Sequence, residues 1–222
     1  MKETLGIELP SRDSKPRQKG LTSVIDAGVP FDIFDKHVTE FSHLIDFVKF
    51  GWGTALVTPS TRKKMERLKA LGIGYWMGGT LFEVACLQGV VDRYVDWAED
   101  LGCEYFEISD GSIELPTDEK LGWIERLSKR FHVLSEVGSK DEEDVMSPSE
   151  WGNAIAQETK AGAWKVIAEG RESGTAGIYR TNGEVRFGLI KELAQFDIDF
   201  DTLFFEAPKK AQQVWFMKWS AP

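Results

Sequence analysis

The chain has 222 residues, of which 42% are hydrophobic and 12% aromatic, and its formal net charge is −9. A chain of this length fits one large α/β domain or two small ones and can bury most of its apolar surface. The acidic balance argues against nucleic acids and anionic membranes as partners, because both attract a basic face. The two cysteines lack metal-ligand spacing, and no apolar run reads as a signal segment or a membrane span. We therefore expect a cytoplasmic protein with reduced thiols.

Short apolar runs alternate along the chain with stretches of helical periodicity. Residues 1–20 hold two prolines and little periodicity, which predicts an N-terminal arm, and residues 21–222 are expected to form a single domain. Seven strands are predicted, at residues 21–28, 46–53, 74–79, 105–111, 132–138, 166–168 and 202–208. Helices are predicted between and after them, at residues 30–44, 61–71, 81–101, 116–131, 150–162, 185–196 and 209–220.

Local signals refine several of these elements. Ser60 is expected to cap the helix that follows it, and Gly162 to end the helix before it. Residues 81–101 form either one long helix or two helices joined near Gly89, and residues 181–183 form a hairpin or turn. The alternation of strands and helices indicates a parallel sheet, and seven such units favour a (β/α) barrel of the TIM type over an open doubly wound sheet.

Several predicted strands share a pattern at their ends, where apolar residues are followed by a carboxylate. Because the side chains of a strand alternate in direction, carboxylates at equivalent late positions point into one barrel mouth. Crowded carboxylates repel one another unless a cation or protons intervene, which favours a hard divalent metal such as Mg²⁺. The alternative is that about half of them cap strand ends or pair with lysines. The set consists of Asp26, Glu107, Glu136, Glu169 and Glu206.

Cationic and glycine-rich positions lie near the same strand ends. Lys49 falls late in the second strand, where a buried ammonium needs an anion or a barrel carboxylate beside it. Arg171 offers a planar fork for phosphate, carboxylate or sulfonate, whereas Lys140 in a flexible loop is by default a solvated lysine. Backbone N–H groups of residues 78–80 and 170–174 can face an anion, although a tight strand-to-helix turn uses the same residue types.

Seven segments, in chain order, carry a resemblance to a known family. They are KPRQKGLTSVID (15–26), IDFVKFGWGT (45–54), GGTLFEVA (78–85), EYFEISDGSIELP (104–116), VLSEVGSKD (133–141), VIAEGRESGTAGIY (166–179) and FFEAPKKAQQVWF (204–216). Together they resemble the phosphosulfolactate synthase family over nearly the whole chain. The resemblance implies a (β/α)8 barrel that adds sulfite to phosphoenolpyruvate with Mg²⁺, giving (2R)-phospho-3-sulfolactate, the first step toward coenzyme M in methanogens.

The family also includes bacterial relatives, and a heat-stress-associated plant protein shares the fold without an established synthase role. The alternatives are therefore a non-catalytic, stress-related barrel and a barrel enzyme that uses phosphoenolpyruvate with another nucleophile. Sulfite attack on C3 moves charge onto C2 and the carboxylate, so the chemistry requires a metal at that carboxylate and a proton donor for C2.

The resemblance and the strand-end pattern together assign hypothetical roles. Metal ligands, directly or through water, are Glu136, Glu169 and Glu206, with Asp26 and Glu107 in reserve. Substrate-binding candidates are Gly78, Gly79, Ser109, Gly170, Arg171, Ser173 and Gly174. The catalytic candidates are Lys49, Lys140 and Glu136, with Lys49 facing substrate charge and Lys140 binding sulfite or delivering the proton.

The sequence departs from the family pattern in two places. Ala27 stands where relatives usually carry a lysine, and Met77 where they carry a proline, so anion binding is expected to be weaker. Relatives continue into an eighth strand and helix, which this sequence lacks beyond Pro222. Exposed edge strands and the Trp-rich last helix predict a homo-oligomer, and the family suggests a trimer.

Overall fold

A computed structural model describes residue 6, residues 12–138 and residues 146–219. Within these ranges the chain alternates between strands and helices, as the periodicity predicts. The strands are β1 (Ser23–Asp26), β2 (Phe47–Phe50), β3 (Gly74–Met77), β4 (Tyr105–Ile108), β5 (His132–Val137), β6 (Lys165–Ala168) and β7 (Leu203–Phe205). The helices are α1 (Phe31–Glu40), α2 (Thr54–Val57), α3 (Thr61–Ala70), α4 (Thr80–Leu87), α5 (Val91–Asp100), α6 (Thr117–Leu127), α7 (Pro148–Ala161), α8 (Phe187–Leu193) and α9 (Lys210–Trp219).

Most helix boundaries lie where the sequence predicts them, but the serine that caps a helix with its side chain is Ser147 and not Ser60. Residues 81–101 contain two helices, α4 and α5, separated at Gly89, whose φ of 64° suits glycine. Ser60 occupies the N-cap position of α3, as predicted, but its side chain makes no capping hydrogen bond. The predicted capping interaction is therefore wrong. Ser147 instead forms a capping box with Glu150 at the start of α7, and Gly162 ends that helix in the left-handed conformation.

The strands form two parallel sheets that enclose a shared interior. The first sheet has the order β1-β2-β3 and the second the order β4-β5-β6-β7. Phe47 of β2 lies 5.0 Å from Tyr105 of β4 and 6.2 Å from Phe204 of β7, measured between ring centroids. Rings from the first sheet thus contact both outer strands of the second sheet, which requires the sheets to curve around one interior. The fold is α/β with parallel strands.

The opposite face of each strand packs against the helices. Side chains such as Val48, Ile108, Val133 and Val166 are fully buried in this outer core. The strands are therefore apolar on both faces near their starts, as expected where helices cover a parallel sheet.

β1 differs from the buried strand that its sequence predicts. Val24 and Ile25 are 36% and 47% exposed, and only Asp26 of this strand is buried. Within the described residues β1 pairs with β2 alone, so no strand covers its other edge. The prediction of burial is wrong because a strand's burial depends on its neighbours as well as its own residues.

Residues before β1 lie against the link between α1 and β2. Arg12 and Arg17 form ion pairs with the buried Asp46, at 3.1 Å and 2.7 Å. Lys15 donates hydrogen bonds to the carbonyls of Ser42 and Ile45. The described part of the N-terminal arm is thus fixed by ion pairs at the end of the strands where they begin. None of the helices in the described ranges is long and apolar enough to cross a membrane.

Candidate active site

Strand periodicity gathers charged side chains at one end of the enclosed interior. Inward-facing apolar residues form a layer near the strand starts, comprising Phe47, Trp76, Tyr105, Leu134, Ile167 and Phe204. Two residues further along, the same alternation places five charged side chains. These are Lys49, Glu107, Glu136, Glu169 and Glu206. The charged layer therefore lies at the carboxyl ends of the strands, where α/β folds with parallel strands bind their ligands.

Three of these carboxylates form an acidic triad, consisting of Glu136, Glu169 and Glu206. One oxygen of each lies within 4.8 Å of an oxygen of the others. Glu136 and Glu169 are 3% and 1% exposed, so their charges are almost removed from water. Buried carboxylates at this spacing repel unless a cation lies among them, and oxygen ligands suit a hard divalent ion. The triad fits a metal ion in both spacing and chemistry.

Lys49 brings an ammonium group to the edge of the triad. Its Nζ lies 2.9 Å from Glu107, 3.2 Å from Glu206 and 3.7 Å from Glu136. Burial alone would lower the pKa of Lys49, but the three carboxylates outweigh burial and raise that pKa well above 10.5. Lys49 is therefore a fixed positive charge at neutral pH and a poor proton donor.

The Glu107 carboxylate is fully buried and is held by hydrogen bonds to the protein. Its carboxylate accepts hydrogen bonds from Trp76 Nε1 at 2.6 Å and from the Gly79 N–H at 2.5 Å, in addition to the Lys49 contact. Burial raises the pKa of Glu107, and Lys49 opposes that rise. The structure thus places this predicted reserve ligand beside the triad, where it holds Lys49 and the turn into α4.

The two glycines before α4 allow close approach of the backbone. A Cβ on Gly79 would lie 2.3 Å from Ser109 Cβ, and one on Gly78 would lie 3.0 Å from Lys49 Cε. Any larger residue at position 79 would collide with Ser109, directly after β4. The Gly79 N–H donates a hydrogen bond to Glu107, and both glycines line the cavity described below, so their predicted binding of a substrate anion stays a prediction.

Ser109 connects the acidic triad to a carboxylate that the sequence pattern did not reveal. Its Oγ lies 2.7 Å from Glu136 Oε1 and also 2.7 Å from Glu83 Oε1. Glu83 is 2% exposed and lies in the first turn of α4. In the sequence, Glu83 is the single charged residue of the apolar run TLFEVACL. A lone carboxylate in such a helix needs a partner, and this was the signal that could have indicated its role.

The loop after β6 is held mainly by hydrogen bonds to the protein itself. The Gly170 N–H donates to Glu206 at 3.2 Å, the Arg171 N–H to Glu169, and the Gly174 N–H to the Arg171 carbonyl at 2.9 Å. Arg171 has a φ of 54°, an uncommon conformation for a non-glycine residue. These three amides orient two carboxylates and the loop, and the predicted binding of a substrate anion by residues 170–174 stays a prediction.

Two further residues fix this loop and were missed from the sequence. Gln212 of α9 is buried and donates to the carbonyls of Gly174 and Gly183, both at 3.0 Å. The Tyr179 hydroxyl donates to the carbonyl of Glu206. The predicted substrate-binding residue Ser173 has its hydroxyl 2.6 Å from that of Thr175. α9 and β7 thus position the mouth of the site.

The structure separates one predicted ligand from the triad. Asp26 forms a buried ion pair with Lys64 of α3 at 2.6 Å and accepts N–H bonds from Gly28 and Val29 at 3.1 Å. Its oxygens are therefore engaged at the end of β1.

The predicted catalytic residue Lys140 lies outside the described residues.

A cavity of about 1350 Å³ opens over the charged layer. Its walls include Lys49, Glu136, Glu169, Arg171 and Glu206. The cavity is large enough for a small anionic substrate together with a metal ion. It presents carboxylates at its floor and the exposed Arg171 at its side. The arrangement can bind a divalent cation and an anion next to each other.

Comparison with known proteins places the chain among relatives of one activity. The family model described as (2R)-phospho-3-sulfolactate synthase (ComA) matches residues 10–221. A phosphosulfolactate synthase of Bacillus subtilis (strain 168) is 44% identical over 218 residues, which cover 97% of this chain and 86% of the relative. One from Methanothermobacter thermautotrophicus is 37% identical over 214 residues, covering 94% of this chain and 83% of the relative.

A solved structure supports the fold alone. The carboxyl transferase domain of Rhizobium etli pyruvate carboxylase, with pyruvate and biocytin, superposes with a TM-score of 0.51 at 13% sequence identity. The match covers 88% of this chain and 33% of that chain. At this identity the similarity concerns only the arrangement of strands and helices.

Proposed function

Because the chain belongs to the (2R)-phospho-3-sulfolactate synthase (ComA) family, we propose that it catalyses the Mg²⁺-dependent addition of sulfite to phosphoenolpyruvate. The product is (2R)-phospho-3-sulfolactate, and the enzyme is a carbon–sulfur lyase. The family match over residues 10–221 carries the proposal. The three carboxylates at the carboxyl ends of β5, β6 and β7 support it, because they form a site that suits a divalent cation.

In this proposal the acidic triad holds Mg²⁺, directly or through water. The bound ion supplies positive charge at the substrate carboxylate, where electron density accumulates as sulfite attacks C3. Glu136 and Glu169 are held in place for this task, since Ser109 contacts Glu136 and the Arg171 N–H donates to Glu169. A rigid ligand set favours the geometry that a hard cation requires.

Lys49 and Arg171 supply the remaining charge for the anionic substrates. Lys49 keeps its proton at neutral pH, so it acts as a fixed charge beside the metal and leaves proton transfer to another group. Arg171 lines the cavity wall, and its guanidinium fork suits the phosphate or carboxylate of phosphoenolpyruvate. Lys140, which follows β5 in the sequence, keeps its proposed role of binding sulfite or delivering the proton to C2.

The finer architecture is part of the same proposal. We infer a barrel of the (β/α)8 type for the single domain of residues 21–222, in which the described residues leave the place of an eighth strand, between β1 and β7, unfilled. The exposed Val24 and Ile25 support it, and so does the cavity, which reaches both Ile25 of β1 and Phe204 of β7. A cytoplasmic homo-oligomer, with a trimer as the family's suggestion, remains a prediction.

The proposal is tested by incubating the purified chain with phosphoenolpyruvate, sulfite and Mg²⁺ and following phosphorus species by ³¹P NMR. A new phosphosulfonate signal is expected, and EDTA should abolish it while added Mg²⁺ restores it. If the chain consumed phosphoenolpyruvate with a different nucleophile but not with sulfite, that nucleophile would take the place of sulfite in the proposed reaction. Absence of turnover with every nucleophile, in a chain that binds Mg²⁺, would favour the non-catalytic alternative.

A further inference from the structure

We propose that Glu83 is a positioning residue that acts on the acidic triad through Ser109. When a cation occupies the triad, Glu83 accepts the hydrogen bond of the Ser109 hydroxyl. The oxygen of Glu136 is then available to the cation. The inference rests on the proposed function in one respect, namely that Glu136 is a metal ligand. It assigns a role to a residue on α4, outside the strands that carry the triad.

Glu83 is bound to the turn that follows β4. Its Oε1 accepts hydrogen bonds from Ser109 Oγ at 2.7 Å and from the Ser112 N–H at 3.1 Å. The side chain is 2% exposed, so its position is fixed by the protein with little access for water. Two donors from one turn hold the carboxylate, and the carboxylate in return fixes the location of Ser109.

Ser109 has two carboxylate neighbours and only one hydrogen to donate. Its Oγ lies at the same 2.7 Å from Glu136 Oε1 and from Glu83 Oε1. A hydroxyl carries one donor, so the two acceptors compete for it. The Ser109 side chain is completely buried, and its Oγ also accepts a hydrogen bond from the Gly111 N–H at 3.4 Å. The relative charge of these two carboxylates therefore biases the direction in which the hydroxyl donates.

A cation at the triad changes that balance. Its positive charge repels the hydroxyl hydrogen from the side of Glu136, and the hydrogen turns toward the charged acceptor on α4. Glu136 then directs its electron density to the cation rather than to the hydroxyl. Without a well-placed acceptor at position 83, the hydroxyl stays on Glu136 and competes with the cation. Partners of this kind commonly alter metal affinity by about 10- to 100-fold.

The test measures Mn²⁺ binding by isothermal titration calorimetry in the full chain, because Mn²⁺ is a good substitute for Mg²⁺ at oxygen ligands. Glu83→Asp keeps the negative charge but withdraws the carboxylate by one methylene group. We expect it to weaken Mn²⁺ binding by about tenfold. In a Ser109→Ala background, the same change should alter the dissociation constant by less than about twofold, because the connecting hydroxyl is gone.

Asp46→Asn is the matched control, since Asp46 is also a buried carboxylate but lies at the start of β2, with Arg12 and Arg17 as partners. It should leave Mn²⁺ binding unchanged while lowering the unfolding temperature. Circular dichroism shows whether each variant folds, and Glu83→Gln replaces Glu83→Asp if the latter does not. The Gln variant should then weaken Mn²⁺ binding more strongly with Ser109 present than with Ser109→Ala.

Equal weakening by Glu83→Asp in both backgrounds would overturn the inference, because Glu83 would then act without Ser109. Unchanged affinity in both backgrounds would overturn it as well. If the unaltered chain bound no Mn²⁺, the inference and the metal part of the proposed function would fall together. If it bound Mn²⁺ but formed no product, only the proposed reaction would fail, and the binding comparison would still decide the role of Glu83.

Discussion

Replacing Lys49 with methionine removes the ammonium that three carboxylates share. Lys49 lies 2.9, 3.2 and 3.7 Å from Glu107, Glu206 and Glu136, and its side chain is 14% exposed. Removing one partner from a buried charge cluster leaves the others uncompensated, and such changes cost about 3–5 kcal/mol. We therefore expect Lys49→Met to lower the free energy of unfolding by roughly 3–5 kcal/mol near pH 8. Urea titration followed by tryptophan fluorescence measures this value.

The loss should depend on pH in a defined direction. Burial raises the pKa of Glu107, and Lys49 opposes the rise, so the variant should raise that pKa further. A carboxyl whose pKa is higher in the folded than in the unfolded chain makes the protein less stable as the pH rises through that interval. The loss of unfolding free energy caused by Lys49→Met should therefore be largest at pH values above the raised pKa of Glu107. It should shrink as the pH falls toward 4.5.

The unaltered chain should behave differently at the other end of the pH scale. The pKa of Lys49 is raised above 10.5, so its contribution to stability is complete below 10.5 and is lost as the pH rises through the raised value. Lys49→Arg is the matched control, because it keeps a cation and should lose less stability than Lys49→Met. A loss for Lys49→Met that is below about 1 kcal/mol, or that does not change between pH 5 and 8, would refute the reasoning.

Other substitutions test separate parts of the account. Gly79→Ala should lower the unfolding temperature and cost about 1–3 kcal/mol, because its Cβ would lie 2.3 Å from Ser109 Cβ; an unchanged melting curve would contradict the packing. Asp26→Asn breaks the buried pair with Lys64 and should cost about 3–5 kcal/mol in urea titrations, while Mn²⁺ affinity stays the same; weaker Mn²⁺ binding would return Asp26 to the metal site. Gln212→Ala should raise KM for phosphoenolpyruvate and speed amide exchange in residues 170–183, and unaltered exchange would show that α9 does not hold this loop.

The convergence of the triad could be predicted from sequence because it depends on a local rule. Side chains alternate along a strand, and parallel strands end at the same edge, so Glu136, Glu169 and Glu206 reach one mouth whatever else surrounds them. Their order in the chain and the apolar residues before them contain the necessary information. The same rule places Lys49 in the charged layer.

Other features depend on partners that are remote in the chain. Asp26 also ends its strand, but its register partner is Phe50 rather than Lys49, so it lies on the helix side of β1, where Lys64 of α3 forms an ion pair with it. The lone charge of Glu83 in an apolar helix indicates that it needs a partner, but only the packing of α4 beside the turn after β4 shows that this partner is Ser109. The exposure of Ile25 likewise depends on whether a strand lies beside β1. Tertiary packing, rather than residue type, decides these positions.

The most direct test of the central claim compares the unaltered chain with Glu169→Gln in the conversion of phosphoenolpyruvate and sulfite. Glutamine preserves the size of the side chain but removes a charge from the acidic triad. The initial rate of phosphosulfolactate formation is followed by ³¹P NMR at a fixed Mg²⁺ concentration. The account predicts product from the unaltered chain and a rate at least about 100-fold lower for the variant. Equal rates for the two proteins would contradict the assignment of the triad as the metal-dependent site of sulfite addition.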